Sequence, residues 1–222
     1  MFHNEAVSAE LIDTLRTLQS IPELDSFRLV GGTAIALQIG HRKSVDIDLF
    51  CNERTDKARI SHEIKSRFHI SNLTVTETNL AGEVNGVRLE LYDHWMMPFK
   101  KPAVVSEGLR VAALEDLAAF KLSAITGRRE KKDYVDLYFL FDRLGSQNVL
   151  ENFKSYDPLL SSKSILFALS EVKTAKENKS PMPDMLVAFD WRDAVDSMLS
   201  ASKVFLAQAK GQGKDKDLGL GF

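Results

Sequence analysis

Three acidic residues carry the chemistry this sequence is best equipped to do. Asp46 and Asp48 alternate with Val45, Ile47 and Leu49 in the stretch 45–50. On a strand, alternate side chains share a face, so both carboxylates project together while the apolar residues anchor the other side. Carboxylates that close repel each other unless water or a cation lies between them. Hard oxygen donors on a rigid strand suit Mg2+ or Mn2+. A third carboxylate is needed to bridge two ions for in-line attack at phosphorus. Glu90, in Val87-Arg88-Leu89-Glu90-Leu91, is the candidate, and Asp93 is the alternative if the strand register carries Glu90 elsewhere.

Asp-x-Asp alone fits any exposed strand, and the segment upstream gives it meaning. In Leu29-Val30-Gly31-Gly32-Thr33-Ala34 a short strand delivers two glycines into the start of a helix. Glycines there allow backbone N–H groups to approach a phosphate, and the helix N-terminus adds partial positive charge. Thr33 offers a hydroxyl. His41-Arg42-Lys43-Ser44, immediately before the aspartates, supplies Arg42 to stabilise developing negative charge and Ser44 as a further binding group. A phosphate cradle therefore lies 14 residues before a metal-type strand, counting Gly32 to Asp46.

The elements that must position these groups follow from periodicity and punctuation. Ser8 caps a helix to about Ser20 with Leu11, Ile12, Leu15 and Leu18 as its apolar stripe, and Pro22 ends it. Residues 27–30 form a strand, 33–38 a helix closed by Gly40, 45–50 a strand, and 56–68 a helix. The stretch from His69 to Trp95 is strand-rich, and Asn85-Gly86 marks a hairpin. From Leu114 the pattern turns helical, near 114–126, 132–144, 146–154, 161–171 and 190–209. Two features there are unusual. Lys121 interrupts the stripe Leu114, Leu117, Ala118, Ile125, so it either reaches a nucleotide phosphate or pairs with a buried carboxylate. Asp133 reads as a first-turn residue favoured by the helix dipole, whereas Asp136, deeper in the stripe with Leu137, Leu140 and Leu144, could fix Lys121 or touch base or ribose.

Composition narrows the class. The 222 residues are 44% hydrophobic and 27% charged, which suits one large soluble domain or two small ones. A net charge of −2 provides no global basic field for nucleic acid, so any such binding must be local; Arg128-Arg129-Glu130-Lys131-Lys132 reads as a solvated turn. Cys51 is the single cysteine, and with five scattered histidines it gives no zinc spacing and no nucleophile signature. No apolar run approaches membrane-spanning length, and Met1 to Ser20 lacks a secretory pattern, so a cytoplasmic location with no membrane partner is expected. Trp95, Met96 and Met97 are expected in the core or a cleft wall.

Taken together, Leu29 to Gln38, Gly40 to Phe50, Leu114 to Ala118 with Lys121, and Lys132 to Tyr138 resemble the AbiEii/AbiGii abortive-infection toxin family of nucleotidyltransferases. The resemblance implies an α+β, polymerase-beta-like fold: a mixed β-sheet with flanking helices, followed by a helical C-terminal half. It implies Gly31 and Gly32 in the nucleotide turn, Asp46 and Asp48 as metal ligands, Lys121 on the triphosphate and Asp136 in the last motif. Such proteins are toxins paired with a separate antitoxin, and relatives have been linked to adding nucleotides to tRNA. The expected organisation is an α/β nucleotidyltransferase core over 1–108, a helical region over 109–209 completing the nucleotide cleft, and a flexible tail over 210–222. The expected activity is Mg2+-dependent transfer of an NMP from an NTP to tRNA or another RNA. The alternatives are an aminoglycoside-like small-molecule acceptor, or a non-catalytic nucleotide- or partner-binding protein of the same fold.

Overall fold

A computed structural model describes residues 1–211, with side chains described through residue 207. From residue 212 on, the expected tail lies outside the described residues. The chain divides into two compact units, one over Met1–Leu117 and one beginning at Ala118.

The first unit is built on a seven-stranded mixed sheet. In chain order its elements are α1 (Ala9–Gln19), β1 (Arg28–Val30), α2 (Gly31–Ile39), β2 (Ile47–Cys51), α3 (Lys57–Arg67), β3 (Ile70–Val75), β4 (Asn79–Val84), β5 (Val87–Asp93), β6 (Val104–Ser106) and β7 (Leu109–Val111). The strands lie in the order β3-β4-β5-β2-β1-β7-β6, with β2/β5 and β1/β7 parallel and the other pairs antiparallel. One face is apolar and closed: Ile47, Leu49, Leu80, Val84, Leu89 and Leu91 are fully buried. Asp48, Phe50, Glu90 and Tyr92 alternate with these residues and share the half-buried opposite face.

Local signals explain most of this unit. Ser8 Oγ accepts from Leu11 N, capping α1, whose Leu11, Leu15 and Leu18 are buried as the stripe requires. Gly40 closes α2 at φ +73°, and the His3 ring fills the space a side chain would take there. Asn85 and Gly86 both have positive φ, as a two-residue turn between β4 and β5 demands. The β6–β7 hairpin, absent from the sequence reading, turns the same way through Glu107 and Gly108. Its strands have three residues each, too short to show an alternation.

The second unit is helical among the described residues. It takes in the end of α4 (Leu114–Gly127), then α5 (Lys131–Leu144), α6 (Ser146–Tyr156), α7 (Ser162–Ser170), α8 (Val172–Glu177) and α9 (Trp191–Gly211). Helix α9 packs against α5, α6, α7 and α8, and Tyr134 donates its hydroxyl to Ala168 O at 2.7 Å to tie α5 to α7. No helix of the described residues is long and apolar enough to cross a membrane.

Asp93 has no part in the open face of the sheet. It is 1% exposed, on the buried side of β5, where it accepts from Thr55 N and Oγ1 at 3.0 Å and pairs with the equally buried Lys57. This ion pair fixes the start of α3 to the end of β5. Removing one partner of a buried pair strands the other's charge, so Asp93→Ala is expected to cost about 3–5 kcal/mol in urea unfolding. The double change Lys57→Met with Asp93→Leu is expected to recover most of that loss.

Candidate functional site

The register of β2 and β5 sets the site. They run parallel with Asp48 opposite Glu90, so the two carboxyl groups stand side by side on the half-buried face. Asn79 of β4 donates to Glu90 Oε1 at 3.4 Å. The strand starts later than the alternation suggests. It begins at Ile47, leaving Asp46 just before it and Val45 72% exposed, so Val45 anchors nothing. Asp46 is held through its backbone instead: Thr33 Oγ1 donates to the Asp46 carbonyl at 2.5 Å and lies 2.9 Å from Ser44 Oγ. Thr33 is 1% exposed, so its hydroxyl places Asp46.

The glycine turn meets these carboxylates directly. Helix α2 starts at Gly31, whose φ of +69° disfavours any other residue, and a methyl group there would overlap the Asp48 carboxylate. A methyl at Gly32 would overlap the Arg42 guanidinium and lie 3.4 Å from Ser44 Oγ. Val30, the N-cap, contributes no side-chain hydrogen bond to the first turn. Gly31, Gly32, Thr33, Arg42, Ser44, Asp46, Asp48 and Glu90 are thus neighbours in one unit. Arg42 is 4% exposed and donates from Nη1 to Lys43 O at 2.9 Å.

The donor set tests well for a hard divalent ion, being carboxylate throughout. Among the described residues, no three acidic, histidine or cysteine side chains stand close enough to hold a metal ion by themselves. Cys51 is excluded from the chemistry: burial pushes its thiol up to about 12, and Sγ donates to Glu53 O at 3.1 Å.

Lys121 and Asp136 lie in the second unit, joined to each other. Lys121 Nζ is 2.7 Å from Asp133 Oδ1 and 2.8 Å from Asp136 Oδ2, and both aspartates are fully buried. Arg128 adds a 2.6 Å bond from Nε to Asp133 Oδ2. Two cations and two carboxylates make the group neutral. Burial alone would raise the Asp133 carboxyl, but Lys121 and Arg128 outweigh it and hold the group below the ordinary carboxylate value. Asp133 does lie in the first turn of α5, and side chains from α4 and from the loop before α5 fold over it as well. The solvated-turn reading of residues 128–132 changes, since Arg129 Nε pairs with Glu171 at 2.6 Å.

Sequence reasoning passed over the rings beside the carboxylates. Phe50, Tyr92 and His94 form a cluster on the same face, with Phe50 and His94 stacked at 4.8 Å. The signal available was the alternation itself, which places Phe50 with Asp48 and Tyr92 with Glu90. Trp95 and Met96, expected in a core or wall, are 47% and 74% exposed, while Met97 is buried.

The family model described as nucleotidyl transferase AbiEii toxin, Type IV TA system, matches residues 13–100. That segment is similar to the AbiEii nucleotidyltransferase toxins. It contains β1 to β5, and with them Asp46, Asp48, Glu90 and the Gly31-Gly32 turn. A protein of Aquifex aeolicus is 26% identical over 164 residues, 70% of this chain and 80% of that protein. Among solved structures, JHP933 from Helicobacter pylori matches with a TM-score of 0.55 at 16% identity, covering 94% of each chain. MenT4, a nucleotidyltransferase toxin of Mycobacterium tuberculosis, matches with a TM-score of 0.52 at 14% identity, covering 95% of this chain and 91% of that one. At such identities the likeness is one of fold, and the fold is that of the nucleotidyltransferases.

Two outcomes follow from this geometry. Gly31→Ala is expected to cost about 1–3 kcal/mol in chemical denaturation through backbone strain, plus a contribution from the displaced Asp48 carboxylate. The double variant Gly31→Ala with Asp48→Ala is expected to lose less than the two single changes summed. In the second unit, the depressed Asp133 carboxyl stabilises fully above its ordinary value of 3.8 and loses that contribution as pH falls through the lower folded value. The stability gap between the native protein and Asp133→Asn should be flat from about pH 7 to pH 5 and narrow below about pH 4.

Proposed function

We propose that this chain transfers a nucleoside monophosphate from an NTP to an acceptor hydroxyl, as the toxin of a toxin-antitoxin pair. The observation that carries the reading is Asp48 beside Glu90 on paired strands, with Gly31 against the Asp48 carboxylate. The AbiEii match over residues 13–100 supports both the transferase and the toxin role and implies an antitoxin partner. RNA, tRNA included, is the proposed acceptor class.

Asp46, Asp48 and Glu90 would hold the divalent ions, which supply charge neutralisation at the α-phosphate and a more acidic acceptor hydroxyl. The N–H groups of Gly31 and Gly32 would bind the β- and γ-phosphates, with the Arg42 guanidinium and the Ser44 hydroxyl behind them. Attack forms a bond from acceptor oxygen to the α-phosphorus and breaks the bond to pyrophosphate, which leaves on the side of the glycine turn. Glu90 would take the acceptor proton. Thr33 acts through position, by keeping Asp46 in place.

For Lys121 and Asp136 we infer a different role: the lysine charge is already shared by two carboxylates, and the cluster holds α4 to α5. Lys121→Met is expected to cost about 3–5 kcal/mol of stability, since it strands buried carboxylates. Unchanged stability together with a raised KM for NTP would return Lys121 to the triphosphate.

The decisive measurement uses each of the four labelled NTPs with Mg2+ and either total RNA or an aminoglycoside. Label is expected in RNA, and Asp48→Asn is expected to reduce incorporation at least about a thousand-fold, some 4 kcal/mol of transition-state stabilisation, with an unchanged melting temperature. Full incorporation by that variant would end the mechanism, and label on the aminoglycoside would reassign the acceptor. Mg2+ with the correct NTP at about 100 times its Kd should stabilise the native protein by about 2.7 kcal/mol.

A further inference from the structure

Two lateral rows cross the half-buried face of the sheet. The register places Val30, Asp48, Glu90 and Ala81 in one row, and Arg28, Phe50, Tyr92 and Asn79 in the next. Two residues of strand separate them, about 7 Å. The second row is chemically unlike the first. The Phe50 and Tyr92 ring centroids are 5.8 Å apart, and His94, two residues beyond Tyr92, stacks on Phe50 at 4.8 Å with its plane inclined by 29°. All three rings are half-buried. Arg28 closes the row with its guanidinium 4.5 Å above the Phe99 ring.

The carboxylate row lies between this ring row and the glycine turn. Gly31 follows Val30, on the side away from Arg28; Asp46 precedes Asp48 and Phe50 follows it. In-line displacement requires the nucleophile to enter opposite the leaving group. With pyrophosphate departing toward the turn, the acceptor hydroxyl arrives from the ring row. A molecule entering there meets flat π-faces and a guanidinium, a combination that suits a base and its phosphodiester. A polycationic sugar has no aromatic ring to stack and would meet Arg28 as a like charge.

We propose that the Phe50-Tyr92-His94 row is the acceptor subsite, stacking the terminal base of a single-stranded RNA whose sugar hydroxyl is the nucleophile, with Arg28 toward the adjoining phosphate. The assignment rests on the nucleotidyl-transfer reading above. It gives the rings the task of setting the distance from the terminal base to the carboxylates. One nucleobase in the ring row places its own sugar next to Asp48 and Glu90.

The test uses a 5′-fluorescein RNA 12-mer, an otherwise identical 12-mer with an abasic 3′-terminal nucleotide, and anisotropy titration with Mg2+ present. The wild-type chain is expected to bind the complete 12-mer about ten- to a hundred-fold more tightly than the abasic one. Phe50→Leu and Tyr92→Leu should each remove much of that preference and barely alter binding of the abasic 12-mer. Phe50→Tyr and Tyr92→Phe, which keep a ring, should restore it, which separates stacking from loss of fold. Stabilisation by NTP with Mg2+ should be the same in the leucine variants as in the wild type. Equal binding of the two 12-mers by wild type, or leucine variants indistinguishable from it, overturns the proposal. Leucine variants that lose NTP stabilisation and keep the 12-mer preference also overturn it, because the rings would then serve the incoming base. If no NTP stabilises the wild type, nucleotidyl transfer itself fails and the subsite falls with it.

Discussion

Lateral pairing of β2 with β5 is the constraint on which the site depends. Two carboxylates held side by side repel, and nothing in Asp48 or Glu90 themselves would keep them together. The surrounding sheet does so: Ile47, Leu49, Leu89 and Leu91 lock the opposite face, so sliding either strand by one residue would turn its carboxylate inward and its two apolar side chains outward. Hydrophobic burial on one side thereby holds like charges together on the other. The glycine entry to α2, at positive φ, then lies directly against the Asp48 carboxylate.

Ionic groups divide into two kinds in this protein. Those of the sheet face, Asp48 and Glu90, are half-buried. Others are closed on themselves: Lys57 with Asp93 in the first unit, and Lys121 and Arg128 with Asp133 and Asp136 in the second. In these clusters the carboxylates are buried and neutralised by their cations, and the effect is to fix one element against another. This distinction separates Glu90 from Asp93, three residues apart on one strand and on opposite faces of it.

Element by element, the sequence was informative where a local rule acts. Ser8, Gly40 and Asn85-Gly86 mark their caps and turn because capping and positive φ depend on residues within a few positions. The helices after Leu114 follow from apolar spacing, except α8, whose six residues are too few to show a period. The β6–β7 hairpin escaped for the same reason. Val45 was misplaced because alternation continues past the point where the strand ends and Thr33 takes over.

Residue types and their spacing alone determined that Asp46 and Asp48 accompany a Gly-Gly helix entry, and that the chain resembles the AbiEii family. Each of those features is read from short motifs, every one of them local. Which third carboxylate stands beside them, which cations are already neutralised, and which rings border the site were decided by tertiary structure. Each depends on strand register or on helices far apart in sequence, and pairing energies between distant segments leave no local pattern in either partner.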